Sequence, residues 1–191
     1  MKICFATNNK NKLQEIRNAF GDNYEIVSLQ DIGCHEELPE TQTTIEGNST
    51  QKAQYVAEKY KVNCFADDTG LEIEALNGEP GVYSARYAGE NCSFQDNMNK
   101  VLEKMKGQQN RKAAFKTVIT LILNGEHYQF SGIANGKIRD SECGNKGFGY
   151  DPIFEPEGFN VTFAEMTMEE KNAISHRGKA VKLLSAFLLS R

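Results

Sequence analysis

Apolar and polar positions alternate along this chain in blocks that read as strand, helix, strand. Ile3 to Ala6 is a short apolar run that ends in the polar stretch Thr7-Asn8-Asn9-Lys10. Leu13, Ile16 and Phe20 then recur at helical spacing, Gly21-Asp22-Asn23 supplies a stop, and Tyr24 to Leu29 reads as a second strand. Such an opening predicts an α/β protein. Ala53, Val56, Ala57 and Tyr60 form the apolar stripe of a second helix with Thr44 as N-cap. Val62 to Ala66 is a strand running into Asp67-Asp68, and Leu71-Glu72-Ile73-Glu74-Ala75 alternates with period two. Phe94, Met98, Val101, Leu102 and Met105 mark a third helix capped by Ser93. Ala113 to Leu123 is apolar on both faces, as a central strand is. Asn124-Gly125 is a hairpin turn into the strand Tyr128 to Ile133, and Asn135-Gly136 fits a second turn or a bulge. Thr167 with Glu170 makes a capping box. The last helix turns Ala180, Leu183, Leu184, Phe187 and Leu188 inward. The expectation is five or six strands and four or five helices in a mixed sheet.

Composition narrows this picture. With 191 residues the chain predicts one domain over residues 1–191, and 39% apolar with 25% charged residues, close to globular norms, argues against a disordered chain. Twenty-six acids against 22 Lys and Arg leave a net charge of −4, which argues against wrapping along a nucleic acid polymer. That sum does not bear on a small anionic ligand, which sees only its own pocket. Cys4, Cys34, Cys64, Cys92 and Cys143 are odd in number and contain no C-x-x-C, so neither a disulfide framework nor a zinc site is expected. The apolar runs at the N-terminus and at Val118 to Leu123 are far shorter than the ~20 residues a membrane span needs. These features predict a soluble, cytoplasmic protein. His35 and His127 stand alone and read as surface or structural residues.

Four polar segments interrupt the scaffold at element ends, where sites form. Thr7-Asn8-Asn9-Lys10-Asn11-Lys12 leaves a strand and opens a helix, a place where backbone N–H groups and lysines can meet an anion; a solvated Asn-rich turn is the plain alternative. Asp67-Asp68-Thr69-Gly70 puts two carboxylates at a strand end. If the strand continues they alternate sides, so one can hold a cation or orient a water while the other supports the loop; an ordinary turn is the alternative. Glu40 is a further carboxylate, otherwise a solvated loop acid. Gly144 to Pro152 sets three glycines around Phe148 and Tyr150, where a planar ligand can approach the backbone and Asp151 can accept from a base; the competing account is a connector with core aromatics. Finally, Ser175-His176-Arg177-Gly178 places two basic residues at the start of the last helix. The helix dipole disfavours cations there, which suggests a role in binding an acceptor-rich ligand.

Taken in order, Phe5 to Lys12, Phe65 to Leu71, Pro80 to Gly89, Gly147 to Phe154 and Ser175 to Gly178 resemble the inosine triphosphate pyrophosphatase family over essentially the whole chain. The resemblance implies an elongated mixed β-sheet flanked by helices, with two lobes, a central cleft and a homodimer. It implies hydrolysis of dITP, ITP and XTP to the monophosphate and pyrophosphate with Mg²⁺. Residue by residue, it makes Thr7, Asn8, Asn9, Lys10, Asn11 and Lys12 the triphosphate loop, and Asn48 and Lys52 helix residues facing the phosphates. Asp68 becomes proton acceptor and metal ligand with Glu40 beside the metal, and Thr69 a substrate contact. Phe148, Gly149, Tyr150 and Asp151 become the base loop, with Lys171, His176 and Arg177 as further nucleotide contacts. This chain departs from the family pattern where Asn8 and Gln42 replace frequent glycines and Gly47 replaces a frequent Glu, leaving the number of acids on the metal open. The competing classes are a pyrophosphatase for modified pyrimidine or methylated nucleotides, a non-catalytic nucleotide sensor, and an RNA-binding module.

Overall fold

The computed structural model describes residues 2–20 and 24–191. The predicted stop at Gly21-Asp22-Asn23 lies outside the described residues. In chain order the elements are β1 (Lys2–Phe5), α1 (Lys10–Phe20), β2 (Glu25–Val27), α2 (Ile45–Tyr60), β3 (Cys64–Ile73), β4 (Pro80–Gly81), α3 (Phe94–Lys104), β5 (Lys112–Leu123), β6 (Glu126–Ile138), β7 (Phe154–Pro156), α4 (Met168–Ile174) and α5 (His176–Leu189). The described strands form one mixed sheet in the order β2-β1-β3-β5-β6-β7, with β4 paired to β3. β5 is central, as its apolar faces predict. The chain forms two compact units, one of residues 1–68, 117–132 and 178–191, the other of residues 69–116 and 133–177.

In the first unit β1 runs parallel to β2 (Ile3 beside Ile26) and to β3 (Phe5 beside Phe65). Alternation along β1 buries both of its faces, the mark of an interior parallel strand. Ile3 and Phe5 join Ile16 and Phe20 of α1 and Ala180, Leu184 and Leu188 of α5 in one core; Cys4 and Ala6 join Ala53 and Val56 of α2 in another. Phe5 and Phe65 stack at 4.7 Å across the strand pair. Cys4 and Cys64 are buried, and burial pushes both thiols up to about 12, so they pack as small hydrophobes. Five described cysteines are free. The last helix departs from expectation at Leu183, which is exposed: the buried stripe is Ala180, Val181, Leu184 and Leu188, and Leu183 lies beside it.

The second unit is built on Leu71, Ile73, Phe115, Ala134, Ile138, Phe154 and Phe163, with Met98, Val101 and Met105 of α3 packed among them. The predicted caps hold in both units. Thr44 accepts from the Gly47 N–H, while Ser93 with Asp96 and Thr167 with Glu170 form complete capping boxes. Asn124 and Gly125 turn at φ 53° and 86° between β5 and β6. β6 runs straight through Asn135-Gly136, which is neither turn nor bulge. β3 is longer than predicted, one strand through Asp67-Asp68-Thr69-Gly70 where a turn was the alternative. No helix among the described residues is long and apolar enough to cross a membrane.

The loop before α2 is fastened by Glu36, whose Oε1 accepts from Tyr55 Oη at 3.0 Å, Tyr60 Oη at 2.8 Å and Lys59 Nζ at 2.5 Å. These donors, Lys59 foremost, hold its carboxyl down at about 2 against an ordinary 4.5. Because the folded value is the lower one, the contribution is complete above pH 4.5 and is lost as pH falls toward 2. A Glu36→Gln variant is therefore expected to melt below the unaltered protein at pH 6, with the difference shrinking below pH 4.5. Thermal midpoints across that range check it; a gap that stays constant contradicts the assignment.

Candidate active site

The unbroken course of β3 decides the geometry. Successive strand side chains point to opposite faces, so Asp67 and Asp68 diverge and each meets a lysine on a different helix. Asp67, buried, takes Lys12 of α1 with 3.0 Å to each carboxylate oxygen. Asp68 lies 3.3 Å from Lys52 Nζ of α2, and the same ammonium donates to Glu40 at 2.5 Å. Lys52 is thus a buried cation shared by two carboxylates. Burial opposes its charge more than any other single influence, yet Asp68, Glu40 and Asp67 together outweigh it and hold Lys52 protonated. At Asp68 burial dominates the other way: the carboxyl is pushed up, and Lys52 and Lys12 only partly restore it. Asp68 Oδ2 is buried with no hydrogen-bond partner among the described residues. A buried acceptor in that condition is unfavourable unless something donates to it or binds it.

Glu40 reaches Lys52 because its loop is pinned to α2. Asn48, almost fully buried, accepts the Gln42 N–H at 2.9 Å; Gln51 accepts the Thr41 N–H at 2.9 Å and donates to the Thr41 hydroxyl at 2.8 Å. Asn48, expected to face phosphates, spends its carbonyl on this loop. The departures at 42 and 47 are linked in space. A Cβ on Gly47 would lie 2.8 Å from Gln42 Cβ, so the side chain present at 42 occupies the room of the one missing at 47. The Thr41–Gln51 clamp left no signal in the sequence, since polar residues ten apart have no periodic signature.

The loop before α1 is also more occupied than its composition suggests. Thr7 Oγ1 accepts the Asn9 N–H at 3.2 Å, and Asn9 Oδ1 accepts those of Asn11 at 2.9 Å and Lys12 at 3.2 Å. Asn9 is therefore the N-cap of α1, and two of the helix donors expected for an anion are already satisfied. Asn8, Lys10 and Asn11 are exposed. Two lysines, Lys12 and Lys52, are thus paired with three carboxylates, Asp67, Asp68 and Glu40.

The second unit gathers the remaining candidates. Gly147, at φ 71°, is pressed against Asp151: a Cβ there would lie 2.1 Å from Asp151 Oδ2. Asp151, buried, accepts the Phe148 N–H at 2.8 Å and Lys171 Nζ at 2.7 Å, so it organises the loop as well as lining it. Lys171 Nζ lies 5.1 Å from the Phe148 ring centroid and the Arg177 guanidinium 5.5 Å, a cation–π arrangement on a half-buried ring. Arg177, buried, also donates to Thr69 Oγ1 at 3.3 Å. His176, buried, stacks on Phe115 at 4.5 Å. Tyr150 donates to the Ser84 carbonyl at 2.7 Å; its ring belongs to the core, and burial raises its hydroxyl pKa. Gly149 continues the loop at φ 66°. Thr69, Phe148, Asp151, Lys171 and Arg177 are thus brought together, while Tyr150 and His176 act from the core side.

The first unit thus carries a buried acid–lysine cluster and the second an aromatic–cationic loop, both on the frame of a mixed α/β sheet. The profile of the Ham1 family matches residues 3–187, and the chain belongs to that family. It is 59% identical to a dITP/XTP pyrophosphatase of Flavobacterium johnsoniae over 184 residues, 96% of both chains, and 53% identical to one of Porphyromonas gingivalis, covering 98% of this chain and 97% of that one. Among solved structures, the Ham1 protein of Staphylococcus aureus superposes with a TM-score of 0.91 at 39% identity, covering 100% of this chain and 99% of that one. The HAM1 protein of Coxiella burnetii gives 0.92 at 36% identity with complete coverage of both chains.

Removing the shared cation isolates the acid pair. Lys52→Met is expected to destabilise the protein by about 3 kcal/mol at pH 8, the low end for breaking a buried ion pair because Glu40 keeps some solvent. The loss is expected to be smaller at pH 5 than at pH 8, because burial already makes Asp68 harder to ionise and lowering the pH favours its neutral form, which needs no cation beside it. Urea denaturation at the two pH values checks both the size and the sign.

Proposed function

We propose that this protein hydrolyses dITP, ITP and XTP to the nucleoside monophosphate and pyrophosphate, clearing non-standard purine nucleotides from the cytoplasmic pool. One observation carries the chemistry: Asp68 Oδ2 is a buried carboxylate oxygen with no hydrogen-bond partner among the described residues, on the strand that also delivers Thr69. Homology to proteins called dITP/XTP pyrophosphatase supports the substrate class.

The residues present fit Mg²⁺. Asp68 and Glu40 offer hard oxygen donors that already converge on one cationic position, the Lys52 ammonium, and Asp68 retains an unused oxygen. No group of three His, Cys, Asp or Glu able to hold a metal occurs among the described residues. Mg²⁺ is a cation that commonly binds through one or two carboxylates and completes its shell with water and substrate phosphates. When bound, Mg²⁺ supplies positive charge against the polyphosphate.

The chain's own groups do the rest. Lys10, Lys12 and Lys52 donate to phosphate oxygens, and each of the last two carries a carboxylate that fixes its position. Asp68 Oδ2 accepts a hydrogen bond from a water and aims its oxygen at the α-phosphorus. The new P–O bond forms as the bond to the β-phosphate oxygen breaks, pyrophosphate leaves, and the water proton passes to solvent. Phe148 stacks on the purine. Arg177, which has only donors, rewards the 6-oxo acceptor of hypoxanthine and xanthine and leaves the 6-amino donor of adenine mismatched.

We also propose a homodimer, supported by exposed apolar side chains on the second unit, among them Tyr83, Ile133 and Phe159. Light scattering at micromolar concentration is expected to give twice the chain mass; a monomer contradicts it. For the reaction, pyrophosphate rather than phosphate is the expected product across ITP, XTP and dITP, with ATP and dUTP poor. Asp68→Asn is expected to lower kcat by about a thousandfold or more while ITP still binds. Near-normal turnover in that variant, or free phosphate as product, defeats the proposal.

A further inference from the structure

Phe94 is the first residue of α3, and its ring is 46% exposed. It has no place in the core of the second unit, which α3 enters through Met98, Val101 and Met105. The helix start does not need it either, since Ser93 and Asp96 close a complete capping box. What the ring does touch is Phe148, with centroids 6.0 Å apart and planes tilted by 43°. The next residue makes a second tie to the same stretch of chain: Gln95 Nε2 donates to Glu142 Oε1 at 2.5 Å, just before the Gly144–Gly149 loop.

Phe148 needs such support. It stands between Gly147 and Gly149, both in the left-handed region and neither able to pack a side chain. Its backbone is held by Asp151, and two cations, Lys171 and Arg177, lie near its ring. Aromatic pairs at 4.5–7 Å with tilted planes are attractive, so Phe94 supplies an apolar contact that resists rotation of the Phe148 ring. A base does not fit between the two rings: two stacking gaps of about 3.5 Å with parallel planes would be required, against 6.0 Å and 43°.

We propose that Phe94 is a positioning residue for base recognition, bracing Phe148 so that the purine meets a preformed stacking surface. This rests on Phe148 as the base-stacking residue. The effect belongs to the base and not to the phosphates. Phe94→Ala is expected to raise KM for ITP about 2- to 12-fold, the loss of one aromatic pair. Its kcat is expected to stay within about twofold, and the inhibition constant of inorganic tripolyphosphate to stay unchanged. Phe94→Tyr, which keeps the ring, is expected to restore KM, while Phe94→Leu restores it only in part. An unchanged KM in Phe94→Ala overturns the inference. So does an equal weakening of ITP and tripolyphosphate, which would mark a general structural role. A parallel Phe148→Ala variant separates the two levels: if it too leaves KM for ITP unchanged, the base-stacking role fails, and the bracing role with it.

Discussion

The acid–lysine cluster of the first unit depends on β3 not turning. A turn at Asp67-Asp68-Thr69-Gly70 would have let both carboxylates reach solvent. As a continuous strand, the segment sends one to each face of the sheet, where burial makes a lone charge untenable and a lysine must answer it. Lys12 answers Asp67 and Lys52 answers Asp68. The two pairs differ in one respect that matters. Asp67 engages its lysine through both oxygens, whereas Asp68 engages its lysine through one, and its other oxygen has no hydrogen-bond partner among the described residues.

Much of the scaffold could be read from residue pattern alone, because it rests on local rules. The stripe of α3, the caps at Thr44, Ser93 and Thr167, and the Asn124-Gly125 turn are each fixed by neighbours within a few positions. β5 was legible as central because both its faces are apolar. Leu183 misled because a run of apolar residues in a helix is wider than the stripe that packs, and only the tertiary contacts choose Val181 over it. β3 was harder still: Asp, Thr and Gly favour turns locally, and the pairing on either side overrides them.

At the site, residue types were easier to find than their duties. Lys12, Lys52, Asp68 and Glu40 were all visible as candidates, but charge counting assumed the lysines were unspent. The structure shows Lys12 and Lys52 each paired with carboxylates. Asn9 and Asn48 were read as facing ligand; one caps a helix and the other holds a loop. Amide side chains serve backbone and ligand equally well, and sequence does not say which they face. Phe94 was counted with the apolar stripe of its helix because nothing in a single chain separates a ring that enters the core from one that leans on a neighbouring loop.

The contact between positions 42 and 47 bears on how this chain can change over generations. Gln42 and Gly47 share a space that holds one side chain and not two. A larger residue at 47 is admissible only after 42 has become small, so the two sites cannot drift independently, and the order of substitution is constrained. An exchange of which position carries the side chain has to pass through an ancestor with both positions small, whose loop is held by the Thr41–Gln51 and Asn48 bonds alone. Those polar ties are also what joins the loop that carries Glu40 to α2.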